Sequence, residues 1–412
     1  MEKENFNFLN GTKIAEFHLL KLYPSAALNR DDSGEQKTAY YNGYLRNRIS
    51  SQCLKRAYRT SETFKENFIE NGVRTKRMPE YVGEKLADLG VSQDLVNAFK
   101  ILLSGKTTKG GDKSAKKVDN SNKAEDELKT EEFIEEGKPV KSKAIAFYSS
   151  SEINAITDVC FEIYKNLEEP KAKSIKKIKL DEVTKKVQSV SHPVTVDIAA
   201  FGRMVTDNML KPLEAAMQFS QVLSTNSAIK ENDYFVACDD LAKKDCFDDA
   251  GSEMLGDIDY ASACYYIHAV ADLEQFTVNL ANCENYEELV KSLPSKFVDV
   301  MAYTDPSARQ NTFEAHVLPE VIYVELKNKK RPLNRMKAFS TPCYRDILNS
   351  SVQKLAENIS TVSETADLGV VNAVWYCENK NIEIKLPKDV KIAKSIMELE
   401  KIVNEWMKVD EN

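Results

Sequence analysis

Between Tyr40 and Arg59 the chain changes period, and it does so inside a stretch of uniform charge. Tyr40, Tyr41, Tyr44 and Leu45 surround Asn42-Gly43, a strong turn signal. After Ile49 the apolar spacing becomes helical, and Ser50 and Ser51 are good N-cap residues, so a helix is expected to begin there. On a wheel of about 100° per residue, Ala57 and Tyr58 fall within about 60° of Leu54 and predict its buried side. Gln52, Lys55, Arg56 and Arg59 share the opposite face. From Arg46 to Arg59 there are five Arg/Lys and no Asp or Glu, in a protein of formal net charge -7. Solvated helix faces normally mix both signs, so a run of one sign favours phosphate binding. A polyanion crossing this surface is expected to meet Arg46, Arg48, Ser50, Gln52, Lys55, Arg56 and Arg59, and a helix N-terminus with free N–H groups adds to the attraction.

The 412 residues suffice for one large or two modest cores. A hydrophobic content of 42% with 29% charged residues is ordinary for a soluble globular protein. No apolar run approaches a membrane span, and MEKENFNFLNG lacks the pattern of a signal peptide. Eight cysteines include no CxxC pair and read as buried thiols in a reducing cytoplasm. The negative balance argues against a non-specific nucleic-acid coat but not against a binder whose cations are gathered on one surface.

Along the chain, Thr12 to Leu20 alternates as a half-buried strand, expected at the centre of a sheet, with His18 on its polar phase in a structural role. Glu62 to Gly105 reads as helical. Ser104-Gly105-Lys106-Thr107 is not a P-loop, because Lys100 stands where the motif needs glycine. Lys106 to Lys143 is expected to be a solvated excursion. An amphipathic helix follows Ser149-Ser150-Ser151-Glu152. Lys171 to Lys179 holds five lysines and no acid, a solvated helix start or a contact to DNA through Lys171, Lys173, Lys176 and Lys177. Val194 to Ala200 is expected to be a strand, and Glu320 to Leu326 another, followed by the basic run Lys327 to Lys337, six Lys/Arg on a loop at the sheet's edge. Asp239, Asp240, Asp248 and Asp249 lack convergent His and are expected to be solvating charges, with no metal. Val390, Ile396, Leu399, Val403 and Trp406 make a packing face at the C-terminal end.

LNRDD (Leu28 to Asp32), a polar loop with Lys37, and RNRISSQCLKRA (Arg46 to Ala57) closely resemble the N-terminal signature of the CasC family, the repeated backbone subunit of the type I-E CRISPR Cascade complex. The resemblance recurs in VDIAAFGRMVTD (196–207), YFVACDDL (234–241), GSEMLGDIDYASACYY (251–266) and ARQNTFEAH (308–316). It implies an α+β fold: a modified RRM-like (ferredoxin-like) palm sheet, helical fingers and a β-hairpin thumb. The expected division is palm at 1–60, fingers at 61–190, palm again at 191–230, thumb at 231–258, and palm with C-terminal helices at 259–412.

By the same resemblance several copies polymerise along a guide crRNA, together with other Cascade subunits, and present it to target DNA in antiviral defence. No cofactor, membrane or cleavage is implied. Asn29, Arg30, Lys37, Gly202, Arg203 and Met204 join the basic run as expected RNA contacts, with Gly202 letting backbone approach RNA. Phe235 and Leu255 are expected to wedge the guide at its kink. Asn42-Gly43-Tyr44-Leu45 stands where family members often have Gly-Gly followed by basic residues. The competing expectation is a metal-dependent RNA nuclease using Asp31 or Asp32, as in related type III subunits, although no acid–base set is evident beside them.

Overall fold

A computed structural model describes residues 6–68, 70–105, 107–108, 133–134, 139–167, 171–175, 178–190, 192–204, 209–237 and 254–408. The chain divides into two compact units, one of 1–69, 216–278 and 285–412, the other of 70–215 and 279–284. Residues 191–215, expected to return to the sheet, thus belong to the second unit. No helix among the described residues is long and apolar enough to cross a membrane.

The first unit is built on a ten-stranded sheet. Its strands are β1 (Ile14–Ala26), β2 (Thr38–Tyr41), β3 (Tyr44–Ile49), β4 (Met217–Phe219), β5 (Val222–Ser224), β6 (Glu231–Ala237), β7 (Met254–Asp272), β8 (Val321–Lys327), β9 (Val370–Cys377) and β10 (Val390–Ala393). The main path runs β10-β9-β8-β1-β7-β5-β3-β2, with β4 and β6 also paired to β7. Only β9 and β10 run parallel; the other pairs are antiparallel. The expected central strand is β1, flanked by β7 and β8.

β1 differs from expectation in being covered on both faces. Its polar phase, Glu16 and His18, is fully buried. Register explains how this is tolerated. His18 lies opposite His268 on one side and Tyr323 on the other, and Glu16 lies opposite Glu325. Glu16 accepts from Lys327 and from the Leu333 N–H at 2.8 Å, and bonds the His268 ring at 2.7 Å. Arg335 donates to Glu325 at 2.6 Å, and Tyr323 does so at 2.9 Å. Two carboxylates and two cations therefore cancel inside the core, which is the condition for burying charge. Burial pulls His18 down to about 4, so it stays neutral, and its Nδ1 bonds the Tyr266 hydroxyl at 2.7 Å. Burial opposes the charge on Glu325, but His18, Arg335 and Lys327 together hold it well below the usual carboxylate range. Arg335 and Lys327 carry most of that by geometry, since the second His18 nitrogen is 3.9 Å from the carboxylate.

This network corrects the reading of Lys327 to Lys337. β8 is interior, not an edge, and Lys327 and Arg335 are buried. Lys330 pairs with Asp272 at 2.7 Å and Glu274 at 3.0 Å, while Lys329 and Arg331 both pair with Asp367. At the C-terminal end Ile396, Leu399, Val403 and Met407 are the buried face of the Ile396–Met407 helix. Val390 sits on the edge strand, and Trp406 is half-exposed beneath Lys391.

The second unit is mainly helical, around a core that includes Met78, Val82, Leu95, Phe99, Ile156 and Val183. The Ser150–Lys165 helix starts as expected, with a full capping box between Ser149 and Glu152. The expected strand at 194–200 is a helix, Val196–Phe201. A short apolar run carries no period that separates the two possibilities; here Asp197 accepts from the Gly72 N–H and fixes the helix's first turn. The expected excursion 106–143 lies mostly outside the described residues. Its far end is anchored, Val140 N–H donating to Glu80 at 2.6 Å.

Candidate nucleic-acid interface

The basic helix, Ser51–Thr60, forms where the sequence places it. Ser50 is its N-cap, with Oγ accepting from the Cys53 N–H at 3.2 Å. Leu54, Ala57 and Tyr58 are buried, Tyr58 against the Phe219 ring at 5.6 Å. Gln52 and Arg56 are exposed, and Lys55 and Arg59 half-buried. The first turn holds no acid.

The LNRDD loop is stitched to this helix start. Asn29 Oδ1 accepts from the Ser50 N–H at 2.9 Å, its carbonyl accepts from the Lys37 N–H at 2.9 Å, and the Lys37 carbonyl accepts from the Arg48 N–H at 2.8 Å. These bonds bring Lys37 beside the helix. Burial raises the Cys53 thiol, and the Lys37 and Arg56 charges both oppose that rise. Asn29 and Ser50 thus position the basic groups, their side-chain acceptors already occupied within the chain.

Two expected contacts are inside the protein instead. Arg46 is fully buried, and its guanidinium donates to the carbonyls of Ser224, Thr225 and Phe339 at 3.0, 2.7 and 2.6 Å. It ties the β2–β3 hairpin to segments some 180 to 290 residues away in sequence, which no local pattern could reveal. Arg203, in the second unit, is 6% exposed and donates to Glu152 at 2.7 Å and to the Phe147 carbonyl at 2.9 Å. Gly202 also has an internal reason to be glycine. Its φ is +75°, and a Cβ there would lie 3.0 Å from the Ala215 nitrogen and the Leu213 oxygen, so its own chain makes the close approach. Met204 is 88% exposed, against the usual fate of methionine.

Comparison with known proteins follows the same outline. The family model described as CT1975-like protein matches residues 15–405. The chain belongs to the CT1975-like protein family. No curated protein matches it. A solved chain titled "CRISPR RNA-guided surveillance complex, pre-nicking" is similar with TM-score 0.73 and 21% identity, over 96% of this chain and 99% of that one. A second, "CRISPR RNA-guided surveillance complex", is similar with TM-score 0.64 and 19% identity, over 95% and 99%. At these identities the likeness is one of fold.

In this CT1975-like protein the segment expected as a thumb holds a two-stranded ribbon: β6 pairs with the first residues of β7, Phe235 opposite Gly256 and Val236 opposite Leu255. Strand alternation then puts Phe235 and Leu255 on opposite faces of the ribbon. The Phe235 ring lies across the space a Gly256 side chain would need. Leu255 instead joins Tyr234 and Val236 in an apolar stripe, the three 59%, 62% and 45% exposed. The sequence pattern does not join Tyr234 and Val236 to Leu255, because the register that sets their shared face comes only with the strand pairing.

Asp31 of the alternative nuclease is exposed and holds its own turn, Oδ1 accepting from Ser33 Oγ at 2.7 Å and from the Ser33 and Glu35 N–H groups at 3.0 Å. The Ser33 bonds hold its carboxyl below the usual range. Asp32 is exposed, and Arg30 half-buried with its backbone bridged to Gln36. Lys171 is exposed. The Lys173 side chain, Lys176, Lys177 and the carboxylates at 239, 240, 248 and 249 lie outside the described residues. Glu16, His18 and His268 each bring a ligand-type atom within 4.8 Å of the others, but Glu16 is already served by Lys327.

Proposed function

We propose that this chain is the repeated, non-catalytic backbone subunit of a type I CRISPR effector of the type I-E CasC kind. It binds a guide crRNA, polymerises along it with other copies and the remaining Cascade subunits, and presents it to target DNA. The observation that carries this reading is the one-signed face of Gln52, Lys55 and Arg56 with Lys37 beside it, in a fold similar end to end to a chain of an RNA-guided surveillance complex. In this reading the ten-stranded sheet is an elaborated RRM-like palm, the second unit the fingers and the ribbon the thumb.

Phosphate contacts follow the backbone without reading bases, so specificity falls to pairing by the guide. The cost of gathering cations is low, because the phosphates supply the missing counter-charge and release their own counterions. Asp31, committed to its turn, serves as a brace and not as an acid or base.

The experiment is a pull-down of the tagged chain from cells expressing its neighbouring genes and a CRISPR array. One discrete RNA of guide length in a large complex is expected. Monomeric protein free of RNA overturns the reading. Labelled RNA incubated with the pure protein and Mg²⁺ stays intact; cleavage lost in Asp31→Ala establishes the nuclease instead.

A further inference from the structure

A cavity of about 580 Å³ opens in the first unit, between the C-terminal turn of the Ile347–Thr365 helix, the 366–369 turn, β9 and residues 387–390. Its size lies within the range of about 300–1,000 Å³ usual for small-molecule sites. None of the residues expected to contact RNA lines it. Local backbone structure shapes its wall. Gly369 turns the chain at a φ of +71°, where a Cβ would lie 2.6 Å from Asn328 Oδ1. Two residues on, the β8–β9 register slips: Leu326 faces Asn372 and Lys327 faces Val370, which leaves Val371 as an extra residue. Such a bulge bends its strand and ends regular pairing. Gly369 and Val371 both line the cavity.

The lining is polarised. Its buried end holds Tyr323, Glu325 and Arg335, none more than 2% exposed. Glu325 is committed to Lys327 and Arg335. Arg335 is only partly committed, because its Nε–H has no acceptor within the chain. A buried donor left without an acceptor is costly, so this end favours a ligand that presents an oxygen. The walls are aliphatic, with Ile359, Val362, Leu368 and Val390.

The open end is acidic, with Glu364, Asp367 and Asp389 all exposed. Lys329 and Arg331 neutralise Asp367. Glu364 and Asp389 have no ion pair among the described residues. Lys388 and Lys391 stand close to Asp389 in sequence, but neither lines the cavity, and Lys391 lies over the Trp406 ring at 5.1 Å. The helix that ends here adds the same sign. Its last carbonyls have no intrahelical donor and carry partial negative charge, and its last turn holds no cation.

We infer that this cavity binds a small aliphatic ammonium ion with a neutral oxygen acceptor at its far end, the chemistry of an N-acylated diamine. The ammonium sits between Glu364, Asp389 and the helix C-terminus, the methylene chain lies along the aliphatic wall, and the acyl oxygen accepts from Arg335. Nothing in this assignment depends on RNA.

The test titrates the pure full-length chain, without nucleic acid, with N-acetyl-1,4-diaminobutane by calorimetry in about 0.15 M salt, where diffuse attraction is screened. One saturable site is expected. Butylamine, which lacks the oxygen, should bind about tenfold more weakly. Glu364→Gln with Asp389→Asn should weaken binding by about tenfold. Glu84→Gln with Asp88→Asn, the same charge change on exposed residues of the second unit, should leave it unchanged. Val371→Trp, which fills the cavity without altering charge, should abolish it. A diazirine-bearing analogue of the amine needs no variant: on the wild-type chain it should label residues within 359–371 or 387–390, and unlabelled ligand should compete. Absence of a saturable site, equal weakening in the two double variants, or labelling confined to other segments overturns the inference. Because no readout contains RNA, its failure and failure of the RNA-binding reading are separate outcomes.

Discussion

Arg46–Arg59 and Lys327–Lys337 are both basic runs without an acid of their own, with five cations in one and six in the other. Folding treats them differently. The second run is met from elsewhere in the chain: Glu16 and Glu325 receive Lys327, Glu325 receives Arg335, Asp272 and Glu274 receive Lys330, and Asp367 receives Lys329 and Arg331. In the first run Arg46 alone is drawn fully inside, and to carbonyls, not carboxylates. Lys55 and Arg56 remain on a helix face whose first turn holds no acid. The lesson is that a charge run identifies a binding surface only when the rest of the chain fails to neutralise it.

The sharpest break of this contrast is in stability. Lys327→Met or Arg335→Met leaves two buried carboxylates, Glu16 and Glu325, with one cation between them and should cost about 3–5 kcal/mol, read as a fall in the unfolding temperature of the first unit by calorimetry. Arg46→Met strands three buried carbonyls and should cost about 3 kcal/mol, with Arg46→Lys recovering little because an ammonium cannot span the same fork. A normal melting temperature in either variant would mean the internal pairing is not what holds these segments.

A smaller effect comes with pH. His18 titrates at about 4 when folded against an ordinary value of 6.5, so between those values the unfolded chain binds more protons. Stability should therefore fall as pH drops from 6.5 towards 4, by at most about 3 kcal/mol. Glu320 and Glu400, pushed up to about 7 by burial and by Glu378 and Asp299 respectively, act with the opposite sign over part of that window. The difference in urea midpoint between wild type and His18→Gln isolates the His18 share. Identical slopes for the two would remove it.

Much of this contrast follows residue types that were legible beforehand, and much does not. The basic helix was readable because its cap, its buried side and its charged face all lie within ten residues. The central position of β1 was readable from alternation, but not the coverage of its polar face, which depends on β7, β8 and the 333–339 segment. Val196–Phe201 was misassigned because six residues without polar spacing fit either helix or strand. The burial of Arg46 and Arg203 and the acids facing Lys327–Lys337 are long-range facts, set by partners distant in sequence. The split of Phe235 from Leu255 needed only the ribbon's register, a parity that sequence cannot supply until the pairing is known.

The smallest expected change in stability accompanies the largest expected change in function. Lys55→Ala with Arg56→Ala should alter stability by no more than about 0.5 kcal/mol each, as surface substitutions do. The direct test of the central claim is a salt titration of guide-RNA binding for wild type, for this pair, and for Lys329→Ala with Lys330→Ala. The outward run should carry the salt dependence: the slope of log affinity against log salt should shrink by about 0.7 per cation removed from the helix, and stay at the wild-type value when Lys329 and Lys330 are removed. A slope unchanged in the helix variant, or reduced only in the Lys329/Lys330 variant, would contradict the account.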